Sequence, residues 1–398
     1  MEKDQIKNSA KSNSFSFDNT EIAFTSKSDQ ELKNAYRLFR VINNNFLVKI
    51  GPAITKLAIK LKLPIRGLIR ASIFKQFCGG ETINESVEVA EELGKYHISS
   101  ILDYSVEGEA VESEFDQTMD EIIKTIRKAS GNIHIPFSVF KVSGLGRSTL
   151  LSKEEKFSAA EKAEFQRIGS RVNELCKASY NLDVPIMIDA EESWIQGQID
   201  TYAIKMMEKY NKEKAIVFNT VQLYRHDRLA WLKDQFNTSV TSDYFLGVKL
   251  VRGAYMEKER QRAKSMNYIS PIHNDKAATD HDFNKALEFC IQNADRISMV
   301  SGSHNEESCM ILINLMKQNH FPINYPHIWF AQLLGMSDNL SFNLAAEGYN
   351  VAKYLPYGPV KSVMPYLFRR AEENTAISGQ MSRELSLIVK EVNRRKQA

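Results

Sequence analysis

Past residue 95 the chain alternates two rhythms: short apolar runs, and longer stretches whose apolar residues recur at helical spacing. The runs are His97–Leu102, Ile133–Val142, Val184–Ile188, Ala215–Leu223, Leu246–Val251, Ile297–Val300, His327–Leu333 and Val351–Leu355. The helical stretches between them include Glu154–Lys177, Thr201–Tyr210, Asp282–Asn293 and Glu306–Gln318. Eight strands alternating with helices predict an α/β fold, and their number and rhythm match a (β/α)8 barrel. A doubly wound sheet should carry a glycine-rich phosphate turn after its first strand. The nearest candidate, Gly144-Leu145-Gly146, lacks the third glycine and follows the wrong strand.

The pattern upstream is different. Residues 1–30 are rich in Ser, Asn, Asp and Lys with little periodicity, and predict a loosely ordered arm. Residues 31–94 form a helical segment, broken at Gly51-Pro52 and at Pro64. The barrel is expected over 95–380, and 381–398 as a C-terminal helix or tail. From Phe46 to Lys75 the charged residues are all basic, with apolar residues between them. That segment reads as a helical arm with a solvated basic face, or as a membrane-surface element over residues 46–75. The first reading is the commoner one for soluble proteins.

Composition narrows the class. Over 398 residues, 52 basic and 49 acidic side chains leave a formal charge of +3, too mild to imply nucleic acid as a partner. Hydrophobic residues at 43% and charged residues at 25% exclude a disordered chain. Cys78, Cys176, Cys290 and Cys309 form no C-x-x-C pair, which argues against a disulfide scaffold or a cysteine zinc site and for a reducing compartment. No apolar run reaches the ~18 residues of a membrane span. The polar start Met1-Glu2-Lys3-Asp4 resembles neither a secretory signal nor a mitochondrial presequence, so a cytoplasmic protein is expected.

In a barrel of this kind the chemistry collects at the C-terminal ends of the strands. Here those ends are polar throughout: Asp103, Lys141, Asp189-Ala190-Glu191-Glu192, Gln222, Lys249 with Arg252-Gly253-Ala254-Tyr255, Ser303-His304-Asn305, Gln332 and Tyr354. One such residue is an ordinary cap; a polar group at every strand end predicts a lined pocket. Near the C-terminus, Tyr366, Arg369, Arg370 and Glu373 sit at helical spacing. They read either as an exposed Arg–Glu ladder or as a two-arginine clamp for a carboxylate, since a guanidinium fork matches that group.

Taken together these stretches resemble the proline dehydrogenase family, flavin enzymes on a distorted (β/α)8 barrel. The matches run in the family's order over residues 75–380: Phe140-Lys141-Val142-Ser143, Ile188-Asp189-Ala190-Glu191, Thr220 to Tyr224, Lys249 to Tyr255, Ser303-His304-Asn305, Gln332 to Met336, Tyr354 to Gly358, and Arg369-Arg370 through Glu373-Asn374. The runs KLVRGAY and Arg-Arg-x-x-Glu-Asn are the specific ones. No aldehyde dehydrogenase domain follows, as in the single-function form of the enzyme.

The resemblance implies FAD as cofactor and oxidation of L-proline to Δ1-pyrroline-5-carboxylate by hydride transfer to flavin N5. It implies a quinone as electron acceptor and a separate pyrroline-5-carboxylate dehydrogenase as metabolic partner. The quinone adds interest to residues 46–75 as a peripheral membrane contact. Arg369 and Arg370 would hold the substrate carboxylate, with Lys141 adding a third charge and Tyr354 and Tyr366 packing over the ring. Asp189 and Lys249 would act beside flavin and substrate, with Asp189 pairing to Lys141. The bland alternatives are a snorkelling lysine for Lys141, a cap for Asp189 and core aromatics for the tyrosines.

Ala190, Gln222, Val251, Arg252, Gly253, Ala254, Tyr255, Thr279, Ser303, His304, Asn305, Gln332 and Glu373 map to cofactor-binding positions, with Gly253 allowing close backbone approach. Lys249 stands where arginine is frequent and Ser303 where threonine is. The family's leucine in the following stretch is Leu333 or Leu334. No ligand-spaced partner supports a metal at His304. Hydroxyproline dehydrogenase is the nearest alternative activity, and a non-catalytic sensor of proline or flavin the alternative of another class.

Overall fold

Eight parallel strands close into a barrel in chain order. They are β1 Ser99–Tyr104, β2 Phe137–Phe140, β3 Ile186–Ile188, β4 Val217–Gln222, β5 Leu246–Val251, β6 Ile297–Gly302, β7 Ile328–Leu333 and β8 Val351–Tyr357. The computed structural model describes residues 15–42, 66–105, 111–153, 157–376 and 380–397, with the backbone alone for residues 68, 371–376 and 380–382. The seam is closed by β1 against β8, paired from Ser99↔Ala352 to Tyr104↔Tyr357. Every apolar run in the sequence holds one strand.

Strand boundaries shift from the apolar runs by up to a few residues, and for the starts of β1 and β2 the reason is local. His97 has φ 59°, a left-handed turn that an extended strand cannot contain, so β1 starts at Ser99. The second run begins at Ile133, but Pro136 has no N–H to offer a ladder, and β2 begins after it.

Side chains alternate across each strand. Ile101, Phe137, Val139, Met187, Phe218, Val300, Ala331, Ala352 and Tyr354 fill the interior. Leu102, Phe140, Ile188, Val221, Leu250, Phe330 and Leu355 pack outward beneath the helices. The helices are stopped and started by local chemistry. Ser158 and Glu161 form a capping box at the start of Ala159–Asn181, and Asn305 caps Glu306–Gln318 by accepting from the Ser308 N–H at 3.0 Å.

One helix departs from the regular ring. Ile83–Gly94, which precedes β1, packs on β1 and β8 and covers the seam. The helix after β8, Val360–Ala376, joins a second core instead. Its Val363, Met364, Tyr366 and Leu367 cluster with Phe39, Phe74, Phe77, Met336, Leu387 and Ile388. Leu333, at the C-terminal end of β7, touches both this cluster and the barrel interior. The helix carrying the two arginines therefore lies at the barrel's C-terminal mouth.

The polar composition of residues 15–30 conceals an ordered segment. Phe17, Thr20, Ala23 and Phe24 are buried, and a short helix spans Thr20–Ala23. The helix Asp29–Ile42 packs against the C-terminal helix Gln380–Gln397. Arg395 stitches the two with bonds to Phe24 O (2.9 Å), Lys27 O (2.8 Å) and Asp29 (2.9 Å). Residues 1–14 of the expected arm lie outside the described residues.

So does most of the basic segment 46–75. In its described part the cations meet acids of the same chain: Arg66 with Glu81 (2.8 Å), Arg70 with Glu85 (3.2 Å) and Lys75 with Glu31 (3.7 Å). Among the described residues no helix is long and apolar enough to cross a membrane.

Candidate active site

The alternation that builds the interior also delivers the polar strand ends. Asp103 follows Ile101 on the inward face of β1, Lys141 follows Val139, Asp189 follows Met187, and Gln222 stands in register with Phe218. Lys249 lies between the outward-facing Val248 and Leu250 of β5. These side chains thus converge on the barrel axis at its C-terminal end, although their strands are not all neighbours.

A buried charge cluster sits there. Lys249 Nζ donates to Asp189 Oδ1 and to the Tyr354 hydroxyl, the latter at 2.6 Å. The ammonium also lies 4.6 Å from the Tyr354 ring centroid, and the Tyr354 hydroxyl lies 3.3 Å from Asp189 Oδ1. The sequence reading paired Asp189 with Lys141 and did not foresee the grip of Lys249. β3 and β5 are separated by β4, so only inward-facing residues can meet across that gap.

Asp103 is a further member that sequence reasoning noted at a strand end but gave no role. Ser105 Oγ donates to it at 2.6 Å, and burial raises its carboxyl above the ordinary range, with the nearby Lys141 charge opposing that rise. Burial likewise raises the Tyr354 phenol, which stays protonated.

Glu191 is the second residue missed. Both its backbone groups are held: its N–H by Gln196 Oε1 (2.9 Å) and its carbonyl by Gln222 Nε2 (2.7 Å). Its carboxylate accepts the Ser143 N–H at 3.0 Å and the Ser143 hydroxyl. Burial pushes its carboxyl up to about 7, against those bonds and the Lys141 charge. The signal in the sequence was the run Asp189-Ala190-Glu191-Glu192, but nothing in it says which acid is buried.

A stability prediction follows from this shift. Between pH 4.5 and about 7 the folded chain keeps a proton on Glu191 that the unfolded chain has lost. Folded protein then binds more protons, so stability falls as pH rises through this window. Glu384, also raised by burial to about 7, contributes in the same sense. Glu191→Gln should flatten the decline in Tm across that range and leave the Glu384 share; thermal unfolding at stepped pH measures it, and an unchanged slope would contradict the assignment.

An arc of polar groups continues from the ends of β5 and β6. Arg252 donates to Asp280 (2.7 Å), Ser303 Oγ (2.9 Å) and Ser308 Oγ (3.0 Å), and its guanidinium covers the Phe283 ring at 4.4 Å. His304 Nδ1 lies 2.9 Å from Ser337 Oγ. Burial lowers its imidazole to about 3, helped by the charges of Lys353, Arg370 and Arg252, so the ring is neutral. Thr279 is buried in the helix Lys276–Gln292, while Val251 and Tyr255 are half-buried and Ala254 exposed.

Gly253 has φ 141°, and a Cβ there would come within 2.5 Å of the Tyr224 ring. Its need for glycine is thus met inside the chain, in addition to any approach by a cofactor.

On the last helix, Arg370 is buried with its guanidinium 5.3 Å from the Tyr366 ring centroid. Tyr366 is itself buried in the second core. The charge of Arg369 acts on Tyr255 together with that of Lys141, and the charge of Arg370 acts on His304. The arginines thus overlook the strand ends rather than solvent alone. The side chain of Glu373 lies outside the described residues.

The structure assigns faces to two positions at the end of β7. Gln332 shares the outward face with Phe330 and is bonded to Ser303 O (3.1 Å) and Ser341 Oγ (2.8 Å), tying β7 to the helix Asp338–Ala346. Its side chain faces the outer layer rather than the barrel interior. Of the two candidate leucines, Leu333 faces the interior and Leu334 packs with the outer layer.

The donor set suits a phosphate-bearing cofactor. Arg252 sits where the helices Lys276–Gln292 and Glu306–Gln318 begin, and helix N-termini with a cation favour a pyrophosphate. Gly253 and Ala254 leave that rim small and open.

A closed (β/α)8 barrel with buried ionisable groups gathered at the C-terminal ends of its strands has the architecture of an enzyme. The comparisons make this particular: the family model for proline dehydrogenase matches residues 86–383, and the chain belongs to that family. It is 33% identical to proline dehydrogenase 1, mitochondrial, of Dictyostelium discoideum, over 98% of this chain and 76% of that one. It is 32% identical to the carbapenem antibiotics biosynthesis protein CarD of Pectobacterium carotovorum, over 80% of this chain and 83% of that one. The fold is also that of a crystal structure of proline utilization A from Bdellovibrio bacteriovorus, with a TM-score of 0.71 at 18% identity. That match takes in 94% of this chain and 40% of the other, so the barrel corresponds to part of a longer protein.

Proposed function

We propose that this chain binds FAD at the C-terminal mouth of the barrel and oxidises L-proline to Δ1-pyrroline-5-carboxylate, with the electrons passing on to a quinone. The observation that carries the reading is the buried Lys249–Asp189–Tyr354 cluster under the helix bearing Arg369 and Arg370. What bound FAD supplies is a two-electron acceptor at flavin N5. Arg252, Ser303, His304 and Asn305 would hold it, with Gln222 and Lys249 toward the ring.

The chain's own residues do the rest. Arg369 and Arg370 present two guanidinium forks to the substrate carboxylate, and the Tyr366 ring backs one of them. Tyr354 cannot swing, because its hydroxyl is held by Lys249 and Asp189, so its ring forms a rigid wall for the pyrrolidine.

Hydride leaves the carbon next to nitrogen only when that nitrogen is neutral. Lys141, Lys249, Arg369 and Arg370 place positive charge around it, and like charge disfavours the ammonium form. A cation at Lys249 also favours negative charge on a reduced ring. Leu333 and the second core would screen the substrate from water. A separate dehydrogenase would take up the product, which is an aldehyde precursor once its ring opens.

The test is the visible spectrum of the purified protein before and after anaerobic L-proline. The expected result is a flavin band that bleaches with L-proline and not with D-proline. Hydroxyproline should bleach it slowly, since a ring hydroxyl crowds Tyr354. A flavin band that L-proline leaves unchanged would reject the substrate; a colourless protein that still binds proline would favour the sensor reading.

A further inference from the structure

The turn after β7 is held in an unfavourable shape by three separate parts of the chain. Gly335 has φ 76° and Ser337 has φ 50°, two left-handed residues in three. A Cβ at 335 would lie 2.0 Å from Gln76 O. A non-glycine residue persists in that region only where its surroundings over-determine it.

Here Gln76 Nε2 donates to Gly335 O (2.9 Å), and Lys353 Nζ of β8 donates to Met336 O (2.6 Å) and Asp338 Oδ1 (2.9 Å). Glu384 of the C-terminal helix accepts the Ser337 N–H through Oε1. Lys27, just before the helix Asp29–Ile42, reaches Asp338 Oδ2 at 3.2 Å. Lys353 is fully buried, and Asp338 and Glu384 nearly so.

Burying this many ionisable groups is costly unless each is paired. What the arrangement delivers is the Ser337 hydroxyl, 2.9 Å from His304 Nδ1, which fixes the rotation of that imidazole.

We propose that Glu384 is a positioning residue for the flavin: by gripping the Ser337 N–H it sets the hydroxyl that orients His304 toward the cofactor. The C-terminal helix thereby becomes part of the cofactor site. The inference rests on the reading that His304 faces bound flavin.

The test measures flavin dissociation constants by fluorescence titration, and visible spectra, on full-length protein. Glu384→Ala and Ser337→Ala should each weaken flavin binding roughly three- to tenfold, the scale of one hydrogen bond. The double variant should lose no more than either single one, because both changes break the same link. Glu384→Gln, whose amide oxygen still accepts the N–H, should retain near-normal affinity. Ile388→Ala, in the apolar core of the same helix, should lower Tm without changing flavin affinity.

If Ser337→Ala leaves flavin binding unchanged, or Ile388→Ala weakens it as much as Glu384→Ala does, the proposal is overturned. Glu384→Gln behaving like Glu384→Ala would overturn it as well. Should Glu384→Ala not fold, Ser337→Ala and Glu384→Gln carry the test. Wild-type protein that binds no flavin would sink the functional reading and this proposal with it; unchanged flavin binding in the variants sinks the proposal alone.

Discussion

Replacing either Arg369 or Arg370 by methionine should raise the KM for L-proline roughly ten- to hundredfold while flavin stays bound. Truncating one partner of a charge-assisted contact costs about 1.5–3 kcal/mol, and 1.4 kcal/mol is a factor of about ten. Methionine keeps the helix and most of the apolar stem, so the loss belongs to the guanidinium. Lysine at the same positions should restore little, because a point charge does not reproduce the two-pronged fork.

The two positions are not equivalent. Arg370 is buried on the Tyr366 ring and its charge bears on His304, whereas that of Arg369 bears on Tyr255. Steady-state kinetics with the flavin-to-protein ratio measured in parallel decides the matter. An unchanged KM in both variants, or flavin loss in place of a KM effect, would move the carboxylate site elsewhere.

Lys249→Met is expected to be the most destabilising single change in the interior of the barrel. It removes a buried charge partner of the Asp189 carboxylate, beside which the Tyr354 hydroxyl remains. Breaking a buried ion pair by removing one partner costs about 3–5 kcal/mol, since the remaining charge is uncompensated. At roughly 2 °C per kcal/mol for a large domain, Tm should fall by about 6–10 °C.

Asp189→Leu should do similar damage from the other side. The double variant Lys249→Met/Asp189→Leu should recover most of the lost stability, because an apolar pair of similar size needs no compensation. It should recover no activity, since the proposed function places both charges beside the substrate. Thermal unfolding of the four proteins gives the coupling directly. Strictly additive losses would mean that the two groups do not act as a pair.

Much of the fold was legible because it depends on local geometry. A strand buried on both faces must be apolar along its length, and a helix on the outer ring must be apolar along one stripe. Both periods are properties of the backbone and survive in one dimension. The misplaced starts of β1 and β2 were local too, set by the left-handed His97 and by Pro136. Residues 15–30 were misjudged for another reason: their polar composition outweighed the few apolar anchors, Phe17 in the barrel's outer layer and Phe24 in the second core among them.

The candidate site divides along the same line. Polar groups at successive strand ends, and two arginines on one helix, were visible as a pattern with a chemical meaning. Their partners were not. Asp189 meets Lys249 because two inward-facing residues on non-adjacent strands converge at the barrel axis. Gln332 turns outward and Leu333 inward by a one-residue phase that the apolar run did not reveal.

The grip of Glu384 on Ser337 joins the last helix to the turn after β7. The sequence alone determined which elements form and which chemical groups stand at their ends, because spacing along the backbone dictates both. Which of those groups touch was decided only by closure of the barrel and by the docking of the terminal helices at its mouth, since contact across a closed sheet depends on distances in space that no local period encodes.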